Sequence, residues 1–145
     1  RWRMIKTKSR DNARTPMQWD DGINGGFSAG TPWLSVNGNY PRINVKRQED
    51  DHGSVLSYYR QLIAFRNGSR VLQEGDFTEL YRKNGVYSYR RACDGETLTV
   101  VISLAEGERK NPASGEVVCS NYGRETAPAR LAPYEALVLR EVVRR

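Results

Sequence analysis

Hydrophobic and polar positions divide the chain into three stretches with different periods. In the middle, Val55, Leu56, Tyr59, Leu62, Ile63 and Arg66 recur at spacings of three and four. One face of that segment is therefore apolar, which predicts a helix from about Asp51 to Asn67. Asp50 or Asp51 offers an N-cap oxygen, and Asn67-Gly68 supplies the stop. Burying four or five such side chains contributes roughly 1.5–3 kcal/mol each, more than the intrinsic helix preference, so this helix must dock on a partner.

Beyond it the period changes to two. Phe77 to Arg82 alternates, Asn84-Gly85 is a preferred two-residue hairpin turn, and Val86 to Arg90 alternates again. Thr97 to Leu104 is more continuously apolar, as a strand buried on both faces would be. Glu116–Ser120 and Glu135–Arg140 add two further strands between turn-rich linkers, and several short strands of this kind predict a small antiparallel β-sandwich.

Before the helix, residues 1–51 show neither period for any useful length. Turn formers dominate: Asp20-Asp21-Gly22, Asn24-Gly25-Gly26, Gly30-Thr31-Pro32, Asn37-Gly38-Asn39 and Tyr40-Pro41. Yet Met17, Trp19, Phe27, Trp33, Leu34 and Tyr40 are groups a free linker would not carry. Irregular segments of this length are functional loops or lie on something else, and such aromatics need a wall to cover them.

Composition narrows the class. Among 145 residues, 38% are hydrophobic and 28% charged, which suits a soluble globular protein and excludes collagen, coiled coil and disordered tail. No apolar run approaches the ~20 residues of a membrane span. The net charge of +6 comes mainly from the ends, Arg1 to Arg10 and Arg140 to Arg145, while the middle alternates signs, so no nucleic-acid or membrane partner is expected. The chain begins at Arg1 without a leader, as a processed chain or a fragment of something longer would. Cys93 and Cys119 read as reduced, packed thiols, and the expected compartment is the cytoplasm.

The densest polar chemistry is Ser9-Arg10-Asp11-Asn12-Ala13-Arg14-Thr15-Pro16-Met17-Gln18-Trp19-Asp20. A guanidinium close to a carboxylate can hold sugar hydroxyls through charge-assisted hydrogen bonds. From spacing alone a structural role stands ahead: Arg10 and Asp11 satisfying loop backbone, and Arg14 pairing with a nearby acid. Asp20-Asp21-Gly22 with Asn24 lacks the alternate-ligand pattern of a calcium loop and reads as a turn, so no metal or other cofactor is expected. His52 has no nucleophile beside it. Asn67-Gly68-Ser69 fits a glycosylation acceptor but coincides with the helix stop. Tyr58, Tyr59, Tyr87 and Tyr89 read as packing groups rather than a sugar platform, a reading that exposed rings would reverse.

The string from Ser9 to Asp21, followed by Gly26-Phe27, Thr31-Pro32-Trp33-Leu34, Val36-Asn37, Asn39-Tyr40, Ile43-Asn44-Val45, Ser54-Val55-Leu56 and Tyr58-Tyr59-Arg60, resembles the α-glucosidases of glycoside hydrolase family 13, in the oligo-1,6-glucosidase group. Pro133-Tyr134-Glu135-Ala136 resembles that family's last strand, and the likeness covers essentially the whole chain. The family's fold is a (β/α)8 barrel followed by a β-sandwich. The resemblance therefore implies an α+β fragment: residues 1–70 as the loop after the eighth barrel strand plus the eighth helix, and residues 71–145 as the C-terminal sandwich. It implies a retaining hydrolase of short α-linked oligosaccharides whose catalytic carboxylates lie upstream, so the partners would be an oligosaccharide and the missing N-terminal barrel. Arg10 aligns with the arginine that holds the non-reducing glucose, and Asp11 and Arg14 would position it. Gly38, where the family has proline, and Ser103-Leu104-Ala105 depart from the pattern without touching this contact. Trehalose-6-phosphate hydrolases and sucrose isomerases share the segment, and a free-standing carbohydrate-binding β module is a reading from another class.

Overall fold

A computed structural model describes residues 10–141 of the chain. The chain divides into two compact units, residues 1–61 and 62–145.

In the first unit the irregular stretch is built from turns whose backbone groups are satisfied by side chains. A 3-10 turn spans Arg10–Ala13, and a second spans Ile23–Gly26. Asn24 and Gly25 take left-handed conformations there, and the Asn24 amide donates to the carbonyls of Ser28 and Gly30 at 2.9 Å each. The Asp20 carboxylate accepts from Gly22 N at 2.8 Å, so this acid is committed to its turn. A five-residue helix that the periodicity does not announce, α1 (Val45–Glu49), starts after Asn44, whose side chain accepts from Arg47 N at 2.9 Å and donates to Tyr40 O at 2.8 Å. It is too short to register as a period, and its cap is what makes it.

The long helix α2 spans Val55–Gly68, four residues shorter at its start than expected. Asp51 does not cap it. That carboxylate accepts from Gly53 N at 2.8 Å, and Ser54 takes over by accepting from Ser57 N at 3.1 Å. Ser54 is 7% exposed and also donates to Gln48 O at 2.7 Å, which ties the start of α2 to the end of α1. Helix α2 ends at Gly68 as expected, because Ser69 caps a new short helix, α3 (Arg70–Glu74), accepting from Leu72 N at 3.3 Å.

The second unit is antiparallel. Strands β1 (Asp76–Lys83), β2 (Val86–Cys93), β3 (Glu96–Ser103), β5 (Glu116–Ser120) and β7 (Ala136–Arg140) form one sheet in the order β1-β2-β3-β7-β5, and β4 (Arg109–Lys110) pairs with β6 (Arg130–Leu131) in a two-stranded ribbon. Both hairpin turns of the meander carry two positive-φ residues, Asn84-Gly85 and Asp94-Gly95, which matches the twist of the flanking strands. Strand β3 is central, and Leu98, Thr99, Val100, Val101 and Ser103 are all buried, as its continuous apolar pattern predicted.

Val86, Val101, Leu137 and Leu139 of one sheet face pack with Leu131 of the ribbon, each side chain contributing roughly 1.5–3 kcal/mol. Towards the other face, α3 lies against β2 and β3 and buries Val71. A bulge between Glu79 and Tyr81 shifts the register so that Tyr81 opposes Ser88, which turns Tyr81 onto the core face. Phe77, Tyr87 and Tyr89 form a row on the opposite face, with ring centroids 5.3 and 5.9 Å apart. Cys93 and Cys119 form no disulfide with one another and are partly buried, and burial pushes the Cys93 thiol up.

Candidate functional site

The residues singled out in the polar string sit on and just after the first 3-10 turn, where Arg14 N donates to Asp11 O at 3.0 Å. Asp11 and Arg14 are both exposed, and among the described residues Arg14 has no ion-pair partner. The Arg10 side chain lies outside the described residues, so only its backbone is placed, at the head of this turn. Asp11 and Arg14 are thus brought to opposite ends of one hydrogen-bonded turn, and the expected pairing of Arg14 with a nearby acid does not occur among the described residues.

From Thr15 onward the chain forms a strap held by backbone hydrogen bonds. Val45 N donates to Gln18 O and Lys46 N to Trp19 O, both at 2.9 Å, so the free N–H groups at the start of α1 are satisfied by the strap. The Gln18 side chain also donates to Ile43 O. Pro16 is buried between two depressions. On one side Arg14, Thr15 and Met17 meet Phe27, Pro32, Trp33 and Leu34 around about 230 Å³. On the other, Thr15 and Gln18 meet Ile43, Asn44 and Gln48 around about 270 Å³.

Apolar exposure is heavy here. Trp33 is 88% exposed and Phe27 50%, and Trp19 and Met17 are each half exposed. Helix α2 buries none of its residues, and Val55, Tyr59 and Ile63, one turn apart, all face outward. The sequence marked these groups only as needing cover. It did not associate Phe27 and Trp33 with Arg14, because they lie 13 and 19 residues further on and the turns between them obey no period.

A family profile described as the α-amylase catalytic domain matches residues 2–75. The chain belongs to the α-amylase family, glycoside hydrolase family 13. It is 40% identical to the oligo-1,6-glucosidase of Parageobacillus thermoglucosidasius over 92% of its length and 26% of that relative. It is 37% identical to the trehalose-6-phosphate hydrolase of Escherichia coli, again over 92% of the chain and 26% of the relative. Among solved structures, the trehalulose synthase of Pseudomonas mesoacidophila MX-45 matches with a TM-score of 0.84 and 36% identity, covering 96% of this chain and 28% of that one. The chain therefore spans about a quarter of the length of the glycoside hydrolases it matches. The profile ends at residue 75, and β1 begins at Asp76. Among the described residues no helix is long and apolar enough to cross a membrane.

Proposed function

We propose that this segment is the C-terminal part of a retaining α-glucosidase acting on short α-linked oligosaccharides, in which Arg10, Asp11 and Arg14 contribute to the pocket for the terminal glucose. The carrying observation is the Arg10–Ala13 turn, which is followed by the exposed Arg14 and a depression lined by Arg14 and two aromatic rings. Residues 1–70 are then the loop after the last barrel strand and the last barrel helix, and residues 71–145 are a C-terminal β-sandwich, its layers being the five-stranded sheet and the ribbon. The profile boundary at residue 75 supports that division, and the uncovered faces of α2 and of the aromatic loop support a barrel supplied by the rest of the polypeptide.

The reaction class is inferred from the relatives. Structures of the trehalulose synthase are described in complex with sucrose and with isomaltulose, both glucosides, and the other relatives are named as oligo-1,6-glucosidases and a trehalose-6-phosphate hydrolase. In a retaining mechanism two carboxyl groups about 5–5.5 Å apart serve as nucleophile and acid/base, and these reside in the barrel outside this chain. The guanidinium of Arg10 would hold glucose hydroxyls with fixed, charge-assisted hydrogen bonds as the ring distorts towards the transition state.

Two measurements test this. In the full-length protein, Arg10→Ala should lower kcat/KM on an aryl α-glucoside by roughly 2–3 kcal/mol of transition-state binding, about 30- to 150-fold, and unchanged efficiency removes Arg10 from the site. The 145-residue chain alone should show no turnover of that glucoside, and activity that survives repurification and co-elutes with the chain overturns the reading.

A further inference from the structure

The second unit carries a depression that the proposed glucose pocket does not use. At the tip of the β1–β2 hairpin, Glu79, Arg82, Lys83, Asn84, Tyr87 and Leu104 border a hollow of about 560 Å³. That lies inside the range of roughly 300–1,000 Å³ of small-molecule sites, whereas the two hollows that flank Pro16 in the first unit fall below it.

Its walls are fixed. The left-handed Asn84-Gly85 turn sets the tip, and Leu104 N donates to Gly85 O at 2.7 Å. Arg109 Nε donates to Asn84 O at 2.9 Å, so the turn is held to the chain beyond β3 from two directions. A Cβ at Gly85 would stand 3.2 Å from the Ala105 Cβ, which shows how closely these segments approach. The pairing of Arg82 with Tyr87 across the strands places a guanidinium and a phenol ring on one sheet face. Tyr87 is half-buried, with the Tyr89 ring 5.9 Å away, and a ring mounted in this way loses little freedom on binding.

The lining decides the ligand class. A bare anion would meet the cations of Arg82 and Lys83 but also the Glu79 carboxylate that shares the same rim. A wholly apolar ligand would have to strip water from all three charges, a cost that the Tyr87 and Leu104 surfaces cannot offset. A sugar ring meets both demands. Its C–H face lies on an aromatic ring, and its hydroxyls, each donor and acceptor at once, match a wall mixing donors (Arg82, Lys83, the Asn84 amide) with acceptors (Glu79, the Asn84 carbonyl). We infer that this hairpin hollow is a saccharide-binding site for neutral oligosaccharides, with Tyr87 as the platform and Arg82 and Glu79 as the hydroxyl contacts. The exposure of Leu104, at 66%, gives a second sugar unit an apolar rim to lie against.

The test uses the 145-residue chain, titrated with maltotriose and with isomaltotriose and monitored by amide-resolved NMR. Saturable shifts confined to residues 79–87 and 104 are expected, with affinity in the millimolar range. Tyr87→Ala should weaken binding about tenfold or more, and Tyr87→Phe, which keeps the ring, by no more than about threefold. Arg82 is exposed and outside the core, so Arg82→Ala keeps the test decisive if Tyr87→Ala unfolds the hairpin, and it too should weaken binding several-fold. Absence of saturable shifts overturns the inference. So does binding that tracks inorganic phosphate instead of sugar, or shifts at residues 14–34 that persist in Arg82→Ala and vanish in Arg14→Ala. That last pattern would leave the glucose-pocket reading standing while removing this one, and the reverse pattern separates them the other way.

Discussion

Replacing Glu135 by alanine tests how the last turn of the second unit is held. Its side chain is fully buried, and its carboxylate accepts from Arg124 Nε at 2.8 Å, from Arg124 Nη2 at 3.4 Å and from Ala132 N at 2.6 Å. These bonds sit beneath a strained corner. Tyr134 takes a left-handed φ of 54°, which a bulky residue keeps only where its surroundings over-determine it. Asn121 supplies part of that constraint, donating to Tyr134 O at 3.0 Å and accepting from Ala136 N at 2.8 Å, and the Tyr122 hydroxyl donates to Pro133 O at 2.8 Å.

Glu135→Ala removes three acceptor contacts and takes away the side-chain acceptor of the Ala132 N–H. Breaking a fully buried ion pair costs about 3–5 kcal/mol, but the Arg124 side chain is 40% exposed and rehydrates when released, so the expected loss is nearer about 2–3 kcal/mol. Urea unfolding of the chain at neutral pH reads it. The pH dependence supplies an independent check. Burial pushes the Glu135 carboxyl up, and the hydrogen bonds from Arg124 and Ala132 with the Arg124 charge outweigh it, so the group is held below its ordinary range. A carboxyl lowered on folding stabilises the native state fully above its unfolded pKa of about 4.3, and that contribution fades as pH falls through the folded value. The gap between the wild-type chain and Glu135→Ala should therefore be constant from about pH 6 upward and narrow in acid. A loss under about 0.5 kcal/mol at neutral pH, or a gap that widens in acid, refutes the assignment of Glu135 as the pin of this corner.

Two further changes probe the same unit in opposite directions. Ser103 Oγ is buried on the core face without a hydrogen-bond partner among the described residues, so Ser103→Ala should raise stability by about 1 kcal/mol in urea unfolding, and a destabilisation would mean the hydroxyl is satisfied in solution. Gly75 closes α3, where a Cβ would stand 2.4 Å from Val71 O and 3.0 Å from Ala92 O. Gly75→Ala should thus cost about 2 kcal/mol or more and lower Tm by several degrees, and an unchanged Tm would show that the α3–β1 corner yields freely.

The parts of the fold that could be read from the sequence are those in which a local signal and a tertiary role coincide. Asn84-Gly85 dictates a hairpin because two positive φ values are needed there and those residues supply them. Thr97 to Leu104 is continuously apolar because β3 lies in the middle of the sheet with both faces covered. Asp94-Gly95 carries the same turn signal less visibly, since no strict alternation flanks it, yet it joins β2 to β3 with the same pair of left-handed residues. The bulge at Leu80 had no such signal. Strict alternation from Phe77 would keep Phe77, Glu79 and Tyr81 together, whereas the inserted residue sends Tyr81 into the core and leaves Phe77 with Tyr89.

The polar string shows the limit in another form. Its residue types alone favoured a structural role and only the family resemblance pointed to sugar chemistry; Arg14 does lie beside Phe27 and Trp33, but that chemistry needs groups on both sides of a substrate. The loop's aromatic rings stay 50% and 88% exposed, and it leads into a helix that buries none of its own residues. The second unit contrasts with it, since its central strand, the ribbon and the Glu135 corner bury one another within the chain. The two units therefore differ in what holds them. Residues 62–145 carry their own core and should keep a cooperative unfolding transition in isolation, whereas the strap from Arg14 to Gln18 is held by backbone hydrogen bonds to a helix whose start depends on the Asn44 cap.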